Sequence, residues 1–238
     1  GRHREELALA QEACRTFPAE LETRFTEIRA LIALGRLHDV QTRLEEALAR
    51  GPGRGWTVGE LLLQVSHELE AHQQSTLARQ VAERAAQWYR DRLAENAPGD
   101  TPGDTPGDTP TEAALGGLAQ AFQSSGALQK ADSVLTLLLN HAPGDVHHLG
   151  RAGVVAAALG NGEGARQALE GLSGIDTPYA FGAPLYWRAA ISAHLGNLEV
   201  AAELLVQAFE SGRRVGSFIH ADINLKPLWH TQAFRNLV

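Results

Sequence analysis

Two histidines in the sequence have almost the spacing of a zinc-protease motif. His67 is followed by Glu68 and then, five residues after itself, by His72. The His-Glu-x-x-His motif needs histidines four residues apart, so that both reach one metal ion from one helical face. A spacing of five places them about 140° apart around a helix. We therefore predict no zinc-protease chemistry at this position.

The other reactive side chains also lack the partners that catalysis requires. His141, His147 and His148 surround a turn, but no carboxylate or thiol is placed to complete a metal site. Cys14 is the single cysteine, which excludes a disulfide within the chain. It occupies a small-residue position of the first predicted helix, which favours packing over nucleophilic catalysis. There is no nucleophile elbow, phosphate-binding loop or dinucleotide fingerprint. We predict a non-enzymatic chain without metal or cofactor.

Composition narrows the classes of partner. The formal net charge is −7 and the pI is near 5.8, whereas binding of nucleic-acid phosphates needs a basic face. The most apolar run, residues 154–159, is far shorter than a membrane span. We expect a protein or peptide partner, with no nucleic acid and no membrane span. No signal peptide can be read, so the compartment stays unassigned, with the cytoplasm favoured over a secreted or periplasmic location.

A recurring pattern shows which elements hold these side chains. After a glycine, apolar residues follow at fixed distances, as in Gly35 with Val40, Leu44 and Ala47. Successive copies start 34, 38, 53, 34 and 36 residues apart, close to the length of a helix–turn–helix repeat. They begin at Gly1, Gly35, Gln73, Gly126, Gly160 and Gly196.

Each feature of the pattern has a role in packing two helices together. The glycine supplies a turn in which a positive φ is not strained. Small residues seven positions before it and five positions after it let the two helices approach closely. One such pair cannot bury its apolar face alone, so pairs must stack. The small residues are Ala119, Gly153 and Ala189 on the first helices and Ala131, Ala165 and Ala201 on the second helices.

These residues resemble the tetratricopeptide (TPR) repeat family. The resemblance covers about residues 1–212 and departs from the family at Leu115, Leu149 and Leu185, where an aromatic residue is usual. It implies an all-α, right-handed α-solenoid of about five stacked antiparallel helix pairs, with a half repeat at the N-terminus and a C-terminal cap. The run 224–237 is similar to the ending of TPR modules in large bacterial regulators, and we expect a module of such a protein.

The pattern also predicts the organisation of the chain as one continuous solenoid. A repeated Pro-Gly-Asp-Thr tract at 96–110 cannot form a helix and is expected to be an exposed loop. It separates repeats at 1–95 from repeats at 111–212, and 213–238 is the predicted cap. The predicted helices are 3–17, 20–34, 37–50, 57–72, 74–95, 111–125, 127–141, 145–159, 161–172, 182–195 and 197–211.

The resemblance implies that the first helices line a concave groove that holds a partner protein or peptide. Counting back from each turn gives the residues expected to point into that groove. They are Phe25, Arg29, Ile32, Leu63, His67, Gln120, Gln123, His147, Val154, Tyr186 and His194.

The N-terminal half repeat favours an alternative function. The helix at 3–17 lacks a first-helix partner, so its apolar residues Leu7, Leu9, Ala10 and Ala13 must be covered by something else. A domain upstream would cover them. The end of a second copy would do so too, giving a structural subunit that assembles head to tail into a filament or ring.

Overall fold

In the computed structural model, the described part of the chain consists of helices and the turns between them. The structure describes residues 2–49, 51, 55–95, 110–175, 180–214, 216 and 218–237. These ranges contain no β-strand, so the predicted all-α class is confirmed. The helices are α1 (His3–Thr16), α2 (Leu21–Ala33), α3 (Leu37–Ala49), α4 (Val58–Ala71), α5 (Ser75–Ala94), α6 (Pro110–Ser125), α7 (Leu128–His141), α8 (Val146–Ala158), α9 (Gly162–Ser173), α10 (Ala183–His194), α11 (Leu198–Glu210), two 3₁₀ helices (Ile219–Ala221 and Ile223–Leu228) and α12 (Gln232–Leu237).

The boundaries of α1 to α11 lie within one residue of the predicted ones. Most of the Pro-Gly-Asp-Thr tract, residues 96–109, lies outside the described residues. Its last residue, Pro110, begins α6, where the missing N–H of proline is not needed. In the predicted cap, Pro227 lies inside the second 3₁₀ helix.

The contacts divide the chain into two units. The first unit is Gly1–Pro102 with Gln120–Gly126, and the second unit is Gly103–Ala119 with Ala127–Val238. In the first unit α1 packs on α2, α2 packs on α3 and α4, and α4 packs on α5. In the second unit α7 packs on α8, α8 packs on α9 and α10, and α10 packs on α11 and the second 3₁₀ helix. Helices therefore contact their neighbours in chain order within each unit.

The turns have the left-handed backbone that the repeat pattern predicts. Gly35, Gly126, Gly160 and Gly196 all have positive φ. At Gly160 the next N–H, that of Asn161, donates to the carbonyl of Ala156 at 2.9 Å, which is the Schellman ending of an α-helix. The copy of the repeat that begins at Gln73 has this residue in the same turn conformation, with φ 61°.

Aliphatic and small side chains build the core of the first unit. Phe25, Ile28, Leu31 and Leu61 are fully buried. The face of α5 that packs on α4 has small buried residues, which let the two backbones approach closely. They are Ala78, Ala82 and Ala85. The predicted small positions of the other repeats, such as Ala119 and Ala165, are also buried.

A charged cluster centred on the buried Glu27 joins α2 to α3. The Glu27 carboxylate is only 2% exposed and lies 3.4 Å from the Arg24 guanidinium and 3.2 Å from that of Arg43. Cys14 is buried beside it, so its location in the core matches the packing role expected from the sequence. Burial raises the pKa of the Cys14 thiol, which keeps it in the unreactive protonated form at neutral pH.

Glycines at the contact between α8 and α10 shape the core of the second unit. A β-carbon at Gly150 would lie 2.1 Å from the Trp187 side chain, and one at Gly153 would lie 2.4 Å from Ile191. The C-terminal segment is tied to α10 by a hydrogen bond in which the Tyr186 hydroxyl donates to the Asp222 carboxylate at 2.5 Å. The side chain of Asn224 donates to the same hydroxyl at 3.3 Å.

Candidate functional site

Six of the residues predicted to line a concave groove are instead in the core. None of them is more than 4% exposed, which corrects the prediction that they face a partner. The reason is that α2, α4, α8 and α10 are each packed against more than one neighbouring helix. Phe25, for example, contacts the ring of Trp56, with 5.4 Å between centroids. The six are Phe25, Ile32, Leu63, His67, Val154 and Tyr186.

The other five predicted groove residues reach the surface at least in part. Gln120 and Gln123 are half-buried on the part of α6 that belongs to the first unit. Arg29 is half-buried on α2. In the second unit His147 is exposed and His194 is half-buried. Burial lowers the pKa of His194. These five remain candidates for contact with a partner.

The histidines singled out in the sequence have separate partners. The Nε2 atom of His67 is hydrogen-bonded to the Ser124 hydroxyl at 2.9 Å, whereas that of His72 lies 3.2 Å from the Glu68 carboxylate. Across the described ranges no three His, Cys, Asp or Glu side chains are grouped so that they could hold a metal ion.

His147 and His148 also face different neighbours. The indole N–H of Trp187 donates to Nδ1 of His147 at 3.2 Å. The Nδ1 atom of His148 lies 3.4 Å from the Asp145 carboxylate and 3.8 Å from that of Glu112. The two rings therefore act as separate polar contacts around the start of α8.

An open groove of about 620 Å³ lies between α1 and α2, and we call it the α1–α2 groove. Leu9 is 73% exposed at its edge. An ion pair between Arg29 and Glu6 bridges the two helices, with Arg29 Nε donating to the carboxylate at 2.8 Å. The groove is lined by Arg2, His3, Glu5, Glu6, Leu9, Ala10, Ala13, Thr23, Thr26 and Arg29.

The structure divides the predicted assembly edge into covered and open residues. Leu7 is 7% exposed and Ala10 is 3% exposed, because α2 packs over them. For these two residues the prediction of an uncovered apolar face was wrong. Leu9 is exposed and Ala13 is half-buried, and both line the α1–α2 groove.

The chain matches no protein-family model. It also matches no curated protein. Within the described part of the chain, every helix is too short or too polar to cross a membrane.

Proposed function

We propose that this chain is a non-catalytic interaction scaffold that holds an α-helix of a partner protein in the α1–α2 groove. In this proposal the helices form a right-handed TPR-type solenoid of about five pairs with a C-terminal cap, as a module of a larger bacterial regulatory protein. The observation that carries the proposal is the open groove itself, lined by an exposed leucine and by small side chains.

The second unit contains an example of the helix packing that we propose for the α1–α2 groove. There α8 lies against both α9 and α10. Gly150 of α8 sits against Trp187 of α10, and Gly153 sits against Ile191 of α10 and Ala168 of α9. The second helix of one pair, α9, and the first helix of the next pair, α10, therefore form a surface on which one more helix packs.

In the repeat pattern, α1 of the first unit corresponds to α9 of the second unit, and α2 corresponds to α10. Leu9 of α1 holds the repeat position of Ala168, and Thr26 of α2 holds that of Trp187. Both line the α1–α2 groove, where no described helix covers them. This correspondence supports a helix, rather than an extended peptide, as the occupant.

The side chains of the groove favour a particular helix sequence. Thr26 is much smaller than the tryptophan at its repeat position, and Leu9 is larger than the corresponding alanine. A docked helix should therefore have a large apolar residue facing Thr26 and a small residue three positions later facing Leu9. The Arg29–Glu6 pair and His3 give the groove a polar rim, so the rest of the helix should be polar.

Selection of helical peptides on the purified chain tests this proposal. We expect enriched peptides with the large-then-small spacing, and we expect Leu9→Glu to weaken their binding by about tenfold or more, because it removes a buried leucine contact. Leu137→Glu is the matched control, since Leu137 is 53% exposed on α7 and lies outside the groove. Binding is measured by fluorescence anisotropy of labelled peptides.

Three results would reject the proposal. The first is a failure to enrich any helical sequence. The second is an enriched peptide that binds Leu9→Glu as well as the unchanged chain. The third is equal loss of binding in Leu9→Glu and Leu137→Glu, which would point to a general effect of added charge.

A second candidate function is self-assembly through the same groove. It is favoured by Leu9 and by Phe17, which is 51% exposed just after α1. If a second copy fills the groove, sedimentation should show mass growing with concentration across the micromolar range, and Leu9→Glu should abolish that growth. A chain that stays monomeric throughout that range would exclude this candidate.

A further inference from the structure

A second cavity, of about 610 Å³, lies at the start of α10 and within the second unit, and we call it the basic pocket. Its size is typical of sites that take small organic ligands. The described residues that line it include three basic side chains and no acidic one, although the whole chain is acidic. The lining residues are His147, Ala180, Phe181, Ala183, Gly212, Arg213 and Arg214.

The two arginines can each offer a guanidinium to an anion. Among the described residues, neither Arg213 nor Arg214 has a carboxylate within ion-pair distance. The Arg213 guanidinium lies 4.0 Å from the centre of the buried Tyr186 ring, which gives it a fixed platform. The nearby Asp222 carboxylate already accepts hydrogen bonds from Tyr186 and Asn224.

His147 adds a third donor. Because Trp187 donates to its Nδ1 atom, the neutral imidazole has its proton on Nε2. This nitrogen can therefore donate to an anion without the ring being charged. Ala183 begins α10, so the positive end of that helix dipole also lies at the pocket.

An aromatic ring is held at the edge of the pocket by a strained turn. Phe181 has φ 43°, a left-handed conformation that is rare for a bulky residue, and its side chain is 62% exposed. The next residue, Gly182, sits so close to the end of α11 that a β-carbon there would lie 2.3 Å from the Ala208 carbonyl oxygen. Strain that the surrounding packing maintains is typical of ligand-binding positions.

We propose that the basic pocket binds the phosphate group of a small aromatic phosphomonoester. Two planar guanidinium groups and an imidazole N–H match the several oxygens of a phosphate, whereas a carboxylate has only two oxygens to share among them. The ring attached to the phosphate would lie against Phe181. This inference is independent of the α1–α2 groove.

Isothermal titration of the whole chain with phenyl phosphate tests the pocket. We expect binding that Arg213→Gln weakens by about tenfold or more, as expected for loss of a charged hydrogen-bond partner. Arg166→Gln is the matched control, because Arg166 is exposed on α9, pairs with Glu163 and lies outside the pocket. If Arg213→Gln disturbs folding, as judged by circular dichroism, the exposed Arg214→Gln gives the same comparison.

Two further ligands separate the parts of the proposal. Inorganic phosphate should bind more weakly than phenyl phosphate, and Phe181→Ala should reduce only the binding of phenyl phosphate. Benzoate should bind more weakly than phenyl phosphate because it has one anionic group with two oxygens. The proposal is overturned if phenyl phosphate does not bind, if benzoate binds equally well, or if Arg166→Gln weakens binding as much as the pocket variants do.

Discussion

In both units an aromatic side chain packs against a glycine on the first helix of a helix pair, but the aromatic residue comes from a different helix in each unit. In the first unit a β-carbon at Gly59 of α4 would lie 2.5 Å from Trp88 of α5, the second helix of the same hairpin. In the second unit the glycine is Gly150 of α8, and the aromatic residue is Trp187 of α10, the first helix of the next hairpin. The glycine–tryptophan contact therefore lies within one helical hairpin in the first unit, and between two successive hairpins in the second unit.

The neighbouring tyrosines extend this difference. Trp88 and Tyr89 form an edge-to-face pair with centroids 5.0 Å apart, and Tyr186 and Trp187 form another at 5.1 Å. Tyr186 also holds the C-terminal segment through Asp222, 36 residues away. The contact at α10 therefore organises several elements, so its loss should have wider consequences than loss of the contact at α5.

The largest expected effect is that of Gly150→Ala. Trp187 is only 3% exposed and has no room to move, so we expect a loss of about 3 kcal/mol in the free energy of unfolding, at the upper end of the range for overpacking. Gly59→Ala should cost less, about 2 kcal/mol, because the atoms it would meet are ring atoms of Trp88 and Tyr89, at 2.5 and 2.6 Å. At Gly150 the new methyl group would also lie 2.6 Å from the β-carbon of Trp187, which no side-chain rotation can move away. Urea unfolding followed by tryptophan fluorescence measures both.

Gly116→Ala is the control for these two variants. Gly116 lies inside α6, and nothing would come within 4 Å of its β-carbon. The substitution should therefore stabilise the chain by up to about 1 kcal/mol through helix propensity alone. If Gly59→Ala proved as harmful as Gly150→Ala, the distinction between the two units would be lost.

A smaller effect is expected for Tyr186→Phe, which keeps the ring and removes the hydroxyl. Burial raises the pKa of Tyr186 well above its ordinary value and the Asp222 charge raises it further, so the hydroxyl remains a donor at neutral pH. Loss of this hydrogen bond to a carboxylate should cost about 2 kcal/mol. In an Asp222→Asn background the same change should cost clearly less, and equal costs in the two backgrounds would show that the C-terminal segment is not held this way.

The smallest effects are expected at the turns, where the two units again differ. The first unit has Gln73 in the left-handed position between α4 and α5, whereas the second unit has Gly160 between α8 and α9. Gln73→Gly should stabilise the chain, and Gly160→Ala should destabilise it, each by about 1 kcal/mol.

Space is not the cause at Gly160, because no atom lies within 4 Å of the place that a β-carbon would take. Thermal unfolding of the two variants compares them directly. Changes of the same sign in both would mean that backbone strain does not decide the stability of these turns.

The periodic sequence predicted the helices well because their limits depend on local signals. A left-handed turn residue and small residues at fixed distances determine where one helix ends and how closely the next can pack. Ala119, Gly153 and Ala189 are buried where that pattern placed them. Even the turn at Gln73 was located by the small residues that follow it, Ala78, Ala82 and Ala85.

Six of the eleven predicted groove residues are buried because periodicity identifies a helix but not its exposed face. A helix packed on more than one neighbour buries most of its sides, and the contact that covers Phe25 comes from Trp56, outside the repeat pattern. The repeat pattern gave no indication of the basic pocket. Phe181 and Arg213 lie in turns after different helices, and only the three-dimensional fold brings them to one cavity.

The contact between Gly150 and Trp187 also limits how the sequence can change over evolution. No side chain larger than hydrogen fits at 150 while a tryptophan occupies 187. In homologous chains we expect the two positions to vary together, with alanine or serine at 150 accompanied by a smaller residue at 187. At positions 26 and 9 no such internal partner exists in the described structure, so under the proposed function their variation should instead follow the sequence of the partner helix.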